Sequence, residues 1–124
     1  MRRRSGTHRP EQVAEQVRQV VATALVGGVR DPRVGPVTVT AVTVTRDLSH
    51  ARIRVAIGGS GEDENRVAQA MEGLTSAAGF LRSQVARALA TRIVPELHFE
   101  HDLGEAHRAR IEAVLADLRE EPAP

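Results

Sequence analysis

Hydrophobic residues recur at helical spacing near the start of the chain. Pro10 suits the first position of a helix, Glu11 is favourably placed against the helix dipole, and Gly27-Gly28 ends the segment. The apolar stripe consists of Val13, Val17, Val20 and Ala24, widened by Val21 and Leu25. Because valine has a weak helix propensity, packing against other elements must stabilise this predicted helix.

Two segments with alternating residues follow. Residues 37–45 alternate β-branched side chains, and the apolar phase shifts at Ala41-Val42, which indicates a bulge or a strand buried on both faces. Residues 46–50 then turn the chain. Every other residue from Ala51 to Ile57 is apolar, while Arg52 and Arg54 lie on the opposite face. We predict an antiparallel hairpin with one apolar face and one face that carries arginines.

A helical pattern between residues 67 and 89 is interrupted at Ala77-Ala78-Gly79. The apolar positions are Val67, Met71 and Leu74 before the interruption and Leu81, Val85 and Leu89 after it. Since Gly79 has no Cβ, we predict two sharply joined helices whose joint is nearly bare of side chains. Such a joint either lets two helices cross closely or lets a ligand approach the backbone.

A third strand and a closing helix complete the pattern. Apolar and polar residues alternate from Ile93 to Glu100, and Pro95 marks an edge or a bulge. The closing helix is marked by Ile111, Val114, Leu115 and Leu118. The predicted order is αββαα(β)α, an α+β domain over residues 9–119. A mobile basic arm (residues 1–8) precedes it and a disordered tail (residues 120–124) follows.

Composition and charge narrow the class of partner. The chain has 124 residues, enough for one domain with a single core, and no cysteine. No apolar run is long enough to span a bilayer and no signal peptide is recognisable, so we expect a cytoplasmic protein with no membrane contact.

Residues 1–59 hold ten arginines against four acids, and residues 60–124 hold seven against twelve. This asymmetry, with arginine in place of all lysine, favours a polyanionic partner. With two phenylalanines and no other aromatic residue, the chain cannot stack bases on several rings of a sheet face.

Three other candidate sites are weaker. Gly58–Gly61 matches the GxxG loop of KH domains, but it joins a strand to a helix whose first turn carries three acids that repel phosphate. His98, Glu100, His101 and Asp102 do not share one strand face, so we predict no metal site. The chain has no nucleophile motif, Walker loop or acid pair in an apolar setting, so we expect neither enzymatic activity nor a cofactor.

Four segments, in this order along the chain, resemble the ribosome-binding factor A family. They are Asp31–Gly35 leading into Val37–Thr40, Asp47–Ala51, Ser76–Arg82 and Arg92–Phe99. The resemblance covers about residues 9–118. It implies a type II KH-like fold, αββααβ, in which an Ala-x-Gly helix–kink–helix replaces the GxxG loop, and the predicted joint at residues 77–79 fits that kink.

The family's known properties imply a function. They imply binding to the immature small (30S) ribosomal subunit through its 16S rRNA, support of late 16S rRNA processing and of growth in the cold, and release helped by a ribosome-associated GTPase. We expect a monomer. Where the family often has a serine-containing turn after Asp102, this chain has Leu103-Gly104-Glu105-Ala106, so the local turn should differ. Phosphate contacts made by lysines in the family transfer here only as charge.

The candidate RNA-binding residues lie at the predicted joint and on the basic segments around it. They are Arg33, Arg46, Ser76, Ala77, Ala78, Gly79, Arg82, Arg87 and Arg92. Arg82 follows the joint within one turn and is the first candidate for a phosphate contact. A spacing of five residues rotates each of Arg82, Arg87 and Arg92 by about 140° around a helix axis relative to the preceding one. The three arginines therefore do not form one row. The alternative is a protein–protein adaptor that uses the acidic C-terminal half, with the basic half solvated.

Overall fold

In the part of the chain that the structure describes, three helices and a three-stranded sheet follow one another in the order αββαβα. The computed structural model describes residues 9–27, 31–58, 63–90 and 92–120. The elements are α1 (Pro10–Gly27), β1 (Val37–Val44), β2 (His50–Ile57), α2 (Glu64–Ala88), β3 (Glu96–His101) and α3 (Leu103–Glu120). The predicted arm, residues 59–61 of the GxxG-like segment with the Glu62 that follows it, and residues 121–124 of the predicted tail lie outside the described residues.

The sheet has the strand order β1-β2-β3, with β1 antiparallel and β3 parallel to β2. The register shifts between Val39 and Ala41, so the predicted bulge is confirmed. The hydroxyl of Thr40 donates to Asp102 Oδ2 (2.6 Å) and lies 3.2 Å from the Arg54 carbonyl oxygen. Asp102 Oδ1 accepts from the Gly104 amide at the start of α3 (2.9 Å). The bulge is therefore tied to the point where β3 ends and α3 begins.

One face of the sheet packs against α1 and α2. Alternate residues of β2 from Ala51 to Ile57 are buried, while Arg52 and Arg54 on the other face are exposed, which confirms the predicted alternation. The largest fully buried side chains include Ile53, Leu74, Leu81, Val13, Val17 and Val21. This core places α1 over β1 and α2 over β3. We call the opposite, solvent-exposed side of the sheet the outer sheet face. None of the described helices is both long and apolar enough to cross a membrane.

The predicted break in the helical pattern is wrong. Residues 64–88 form one continuous helix, and Gly79 does not take the positive φ with which a glycine often ends a helix. Leu74, Leu81 and Val85 are all buried and keep helical spacing across the interruption. A glycine inside a helix costs about 1 kcal/mol, less than burial of these side chains contributes. The separate helix expected from Phe80 to Ala90 is therefore the second half of α2.

The segment Asp31–Pro36 docks on the first half of α2. Val34 is almost fully buried, and the Arg66 guanidinium donates to the carbonyls of Arg33 and Val34 (2.9 Å each). Gly35 has φ +58°, and a Cβ there would lie 2.1 Å from Arg66 Nη2. A Cβ on Gly73 would lie 2.8 Å from Val34 Cγ2. Glycine is therefore needed on both sides of this contact.

Candidate nucleic-acid interface

A row of small and basic side chains runs along the solvent side of α2. Ser76, Gly79, Ser83 and Arg87 are exposed and follow one another at helical spacing, and we call them the α2 outer row. A Cβ on Gly79 would meet no atom within 4 Å. The Ser83 hydroxyl donates to the Phe80 carbonyl (2.7 Å), so it lies back on its own helix. A ligand can therefore approach the helix backbone closely at Gly79.

Arg33 is held beside one end of this row. Its guanidinium donates to the Ser76 hydroxyl (3.0 Å) and to both carboxylate oxygens of Asp31, and Glu72 lies 3.9 Å away. The Arg33 backbone amide also donates to Asp31 Oδ1 (2.9 Å). The hydrogen bonds from the Arg33 side chain, followed by this backbone bond, lower the pKa of Asp31 to about 2. Two predicted site residues, Arg33 and Ser76, are thus brought together. The charge of Arg33 is largely compensated by the neighbouring acids.

Arg82 has a structural partner that the sequence did not indicate. Its Nη2 donates to the Val94 carbonyl (2.8 Å) and its Nε to the Pro95 carbonyl (3.2 Å). The side chain is exposed, yet these two bonds orient it toward the segment that leads into β3. The first candidate for a phosphate contact therefore also ties α2 to residues 92–95.

Arg46, Arg87 and Arg92 are exposed and make no side-chain hydrogen bond or ion pair to a described residue. Arg87 lies in the last turn of α2, and Arg92 follows a few residues later. The turn that carries Arg46 lies at the same end of the sheet, because the Glu96 amide donates to the Ser49 carbonyl (2.9 Å). Three arginines whose side-chain donors are not used by any described residue therefore belong to one end of the domain.

The turn that presents Arg46 is internally bonded. Asp47 Oδ1 accepts from the hydroxyls of Thr45 (2.8 Å) and Ser49 (2.6 Å) and from the Ser49 amide (3.1 Å). These bonds, those from Ser49 and Thr45 above all, lower the pKa of Asp47 to about 2. Leu48 takes a positive φ of 65° and packs against the core. The turn is therefore constrained on both its polar and its apolar side.

The two alanines of the predicted joint do not lie on the exposed row. Ala77 is half-buried and packs against the core, and Ala78 is also half-buried. Their small size lets α2 lie close to its neighbours. Of the three joint residues, only Gly79 is exposed, so the prediction of a bare surface holds at that residue and not at the alanines.

Sequence reasoning missed an exposed aromatic ring and an ion pair. Phe80, next to Gly79, is 47% exposed. The sequence could have indicated this exposure, because Phe80 directly precedes Leu81 and so does not lie on the buried stripe of the helix. On the outer sheet face, Arg52 Nε donates to Glu100 (2.8 Å), and Arg54 lies 3.7 Å from the same carboxylate. The parallel register of β3 creates this pairing, which lowers the pKa of Glu100 mainly through the Arg52 bond. The strand arginines are thus less available to a polyanion than their number indicates.

Residues 98–102, which the sequence pattern separates onto two strand faces, are not the only potential metal ligands near β3. The structure brings His50, from the neighbouring strand, next to Glu96 and His98 on the outer sheet face. No sequence spacing could indicate this cluster, because it depends on the pairing of β2 with β3. It lies on the side of the sheet away from α1 and α2.

Together these features define a class: a small α+β, KH-like domain with an exposed helix face, an approachable glycine backbone and, at one end, arginines that no described acid compensates. Such a surface suits the phosphate backbone of a nucleic acid better than it suits base-specific stacking.

A family model described as "Ribosome-binding factor A" matches residues 9–115. The ribosome-binding factor A of Gemmatimonas aurantiaca is 46% identical over 114 residues, covering 91% of this chain and 76% of that protein. That of Geobacter sulfurreducens is 40% identical, covering 92% and 94%. The chain therefore belongs to the ribosome-binding factor A family.

Solved structures of the family share the fold. The crystal structure of ribosome-binding factor A from Thermus thermophilus matches with a TM-score of 0.62 at 26% identity, covering 76% of this chain and 97% of that one. A homology model of the Thermus thermophilus factor, fitted into a cryo-electron microscopy map of its complex with the 30S subunit, matches with a TM-score of 0.56 at 28% identity, covering 70% and 88%. The α+β, KH-like fold class is thus confirmed.

Proposed function

We propose that this protein binds the small ribosomal subunit through its 16S rRNA, with the α2 outer row as the contact surface. Family membership and the 30S complex of a Thermus thermophilus relative support the choice of partner. The observation that carries the choice of surface is the open backbone at Gly79, which lies on an exposed helix face between Arg33 and Arg87.

The proposed mechanism is occupancy of an rRNA conformation. Arg46, Arg87 and Arg92 contact phosphates and set the position of the domain, since arginine presents a planar fork of donors. The helix backbone at Gly79 lies directly against the RNA, and Phe80 offers its ring to one unstacked base. Arg33 and Arg82 also contact phosphates, through the guanidinium N–H groups that are not bonded to other residues of the protein. The bound domain holds the RNA until maturation is complete.

The finer parts of the proposal follow from the family. We assign to this monomeric, non-enzymatic, cytoplasmic factor a role in late 16S rRNA processing, with support of growth in the cold. A ribosome-associated GTPase on the subunit promotes its release.

Site-directed cleavage tests the proposal, because the chain contains no cysteine. A single Ser83→Cys substitution places a tethered Fe(II)–EDTA probe on the α2 outer row. The matched variant Thr43→Cys places the same probe on the exposed side of β1. We expect strong cleavage of 16S rRNA from position 83 and weaker cleavage from position 43 when each variant is bound to purified small subunits. Cleavage confined to position 43 would contradict the proposed surface.

One observation favours the adaptor alternative as a second function. Ile111, Val114, Leu115 and Leu118 recur at helical spacing on α3, and each is about half exposed. A protein partner on the subunit would cover this stripe, in keeping with the acidic C-terminal half. Leu115→Ser should then weaken association with intact subunits while leaving association with protein-free 16S rRNA unchanged. Equal weakening in both assays would exclude the adaptor role for α3.

A further inference from the structure

The first residues of β2 and β3 bring two imidazoles and a carboxylate together on the outer sheet face. His50 pairs with Glu96 in the parallel register, and His98 lies two residues farther along β3 on the same face. His50 Nδ1 lies 2.9 Å from His98 Nε2, and Glu96 Oε1 lies 3.9 Å from the first nitrogen and 3.7 Å from the second. Two strands thus supply three potential metal ligands to one point.

The spacing of these three atoms fits a tetrahedral cation. A Zn²⁺ ion with bonds of about 2.0–2.1 Å separates its ligand atoms by about 3.3 Å. The three separations of 2.9, 3.7 and 3.9 Å lie on both sides of that value. Small rotations of exposed side chains therefore suffice to reach the coordinating geometry, with no movement of the strands. Imidazole and carboxylate are also the ligand types that borderline divalent transition metals prefer.

The surroundings leave room for a cation, although the turn that carries Arg46 lies at the same end of the sheet. The three side chains are each about half exposed, so an ion can enter and a fourth position stays open to water. Arg52 lies opposite His98 in the register, but its guanidinium donates to Glu100 (2.8 Å), which compensates its charge. The Asp47 carboxylate lies within electrostatic reach of His50 and adds negative charge nearby.

We propose that His50, Glu96 and His98 form a binding site for a borderline divalent transition-metal ion, with Zn²⁺ as the probe. The bound ion would clamp the first residues of β2 to those of β3, an edge strand whose only partner in the described sheet is β2. The site lies on the outer sheet face and shares no residue with the α2 outer row. A titration with the ion involves no ribosomal subunit, so its result does not depend on the proposed rRNA contact, whose Arg46 lies in the turn just before His50.

Calorimetric titration of the metal-free, untagged full chain with Zn²⁺ tests this proposal. We expect saturable binding of one ion by this cluster. The exposed ligands allow His50→Gln, His98→Gln and Glu96→Gln with little effect on folding, and His101→Gln, outside the cluster, serves as the matched control. Each histidine variant of the cluster should bind at least about tenfold more weakly, since losing even an outer partner of a metal ligand costs that much.

Thermal unfolding gives a second measurement on the same proteins. An ion that binds only the folded state raises the unfolding temperature with its concentration. We expect this rise in the parent chain and in His101→Gln, and a much smaller one in the three cluster variants. Absence of saturable binding by the parent chain would overturn the proposal. Parent-like affinity in His50→Gln and His98→Gln would do the same, because the ion would then lie elsewhere.

Discussion

At the scale of single residues, two glycines of α2 have opposite surroundings. Gly73 is buried against Val34, and Gly79 faces open space. The sequence suggested that a small residue at position 79 lets two segments pack closely. In the structure Gly73 has this role, because α2 meets the Arg33–Val34 backbone there. Nothing in the packing of the described residues requires glycine at position 79. A close external approach is the function that we assign to that residue.

Alanine substitution distinguishes the two glycines. Gly79→Ala should stabilise the protein by about 0.5–1 kcal/mol through helix propensity, and it should weaken binding to small subunits several-fold. Gly73→Ala should destabilise it by about 1–3 kcal/mol, because the new Cβ would lie 2.8 Å from Val34 Cγ2. Urea denaturation and co-sedimentation with small subunits measure the two effects. A stabilised Gly79→Ala variant with full binding would show that the glycine is not a contact.

Because of Asp31, the free energy of unfolding should change with pH in the acid range. Its pKa falls from 3.8 to about 2 in the folded state, chiefly through the Arg33 side chain. The stabilisation is therefore present above about pH 4 and is lost as the pH falls toward 2. Asp31→Asn should be less stable at neutral pH and should lose less stability between pH 4 and 2, as measured by urea denaturation at each pH. An equally steep decline in Asp31→Asn would contradict this assignment, and Asp117→Asn on α3 is the matched control.

At the scale of elements, the hairpin, the first helix and the continuity of α2 follow from local pattern, whereas the site does not. The alternation of apolar and polar residues in 37–57 predicts both strands and the bulge. Successive side chains of a strand point to opposite faces, so the pattern shows which face is buried and where that pattern shifts. The helical phase of Leu74, Leu81 and Val85 is unbroken across residue 79, and a single glycine costs too little to end a helix that buries these side chains. The Glu100 ion pair and the His50 cluster depend on the parallel register of β3. The Arg82 bonds depend on how residues 92–95 fold back on α2, and no local pattern reports either arrangement.

Arg82 and Arg87 should respond differently to truncation. Arg82→Ala removes both bonds to the Val94 and Pro95 carbonyls and should lower the free energy of unfolding by about 1 kcal/mol. Arg87→Ala removes a side chain with no partner among the described residues, so its effect on stability should stay within about 0.5 kcal/mol. Urea denaturation of both variants checks the contrast. Equal losses would show that the Arg82 bonds do not tie α2 to the β3 segment.

At the scale of the whole molecule, ion pairs redistribute the charge that the sequence divides between its halves. Arg18, Arg33 and Arg52 have acidic partners, and the corresponding pairs are Arg18–Glu15, Arg33–Asp31 and Arg52–Glu100. Arg46, Arg87 and Arg92 have no acidic partner among the described residues and lie at one end of the domain. The surface available to a polyanion is therefore smaller and more localised than a basic N-terminal half implies, and it includes residues of the acidic half.

The salt dependence of binding to purified small subunits tests the central claim most directly. The logarithm of the association constant should fall linearly with the logarithm of salt concentration for the parent chain. Arg87→Ala should weaken binding and reduce the magnitude of this slope by about one unit, the loss of a single phosphate contact. Arg119→Ala, an exposed arginine in the last turn of α3, should leave affinity and slope unchanged. If Arg87→Ala binds with the parent affinity and slope, the α2 outer row is not the rRNA interface.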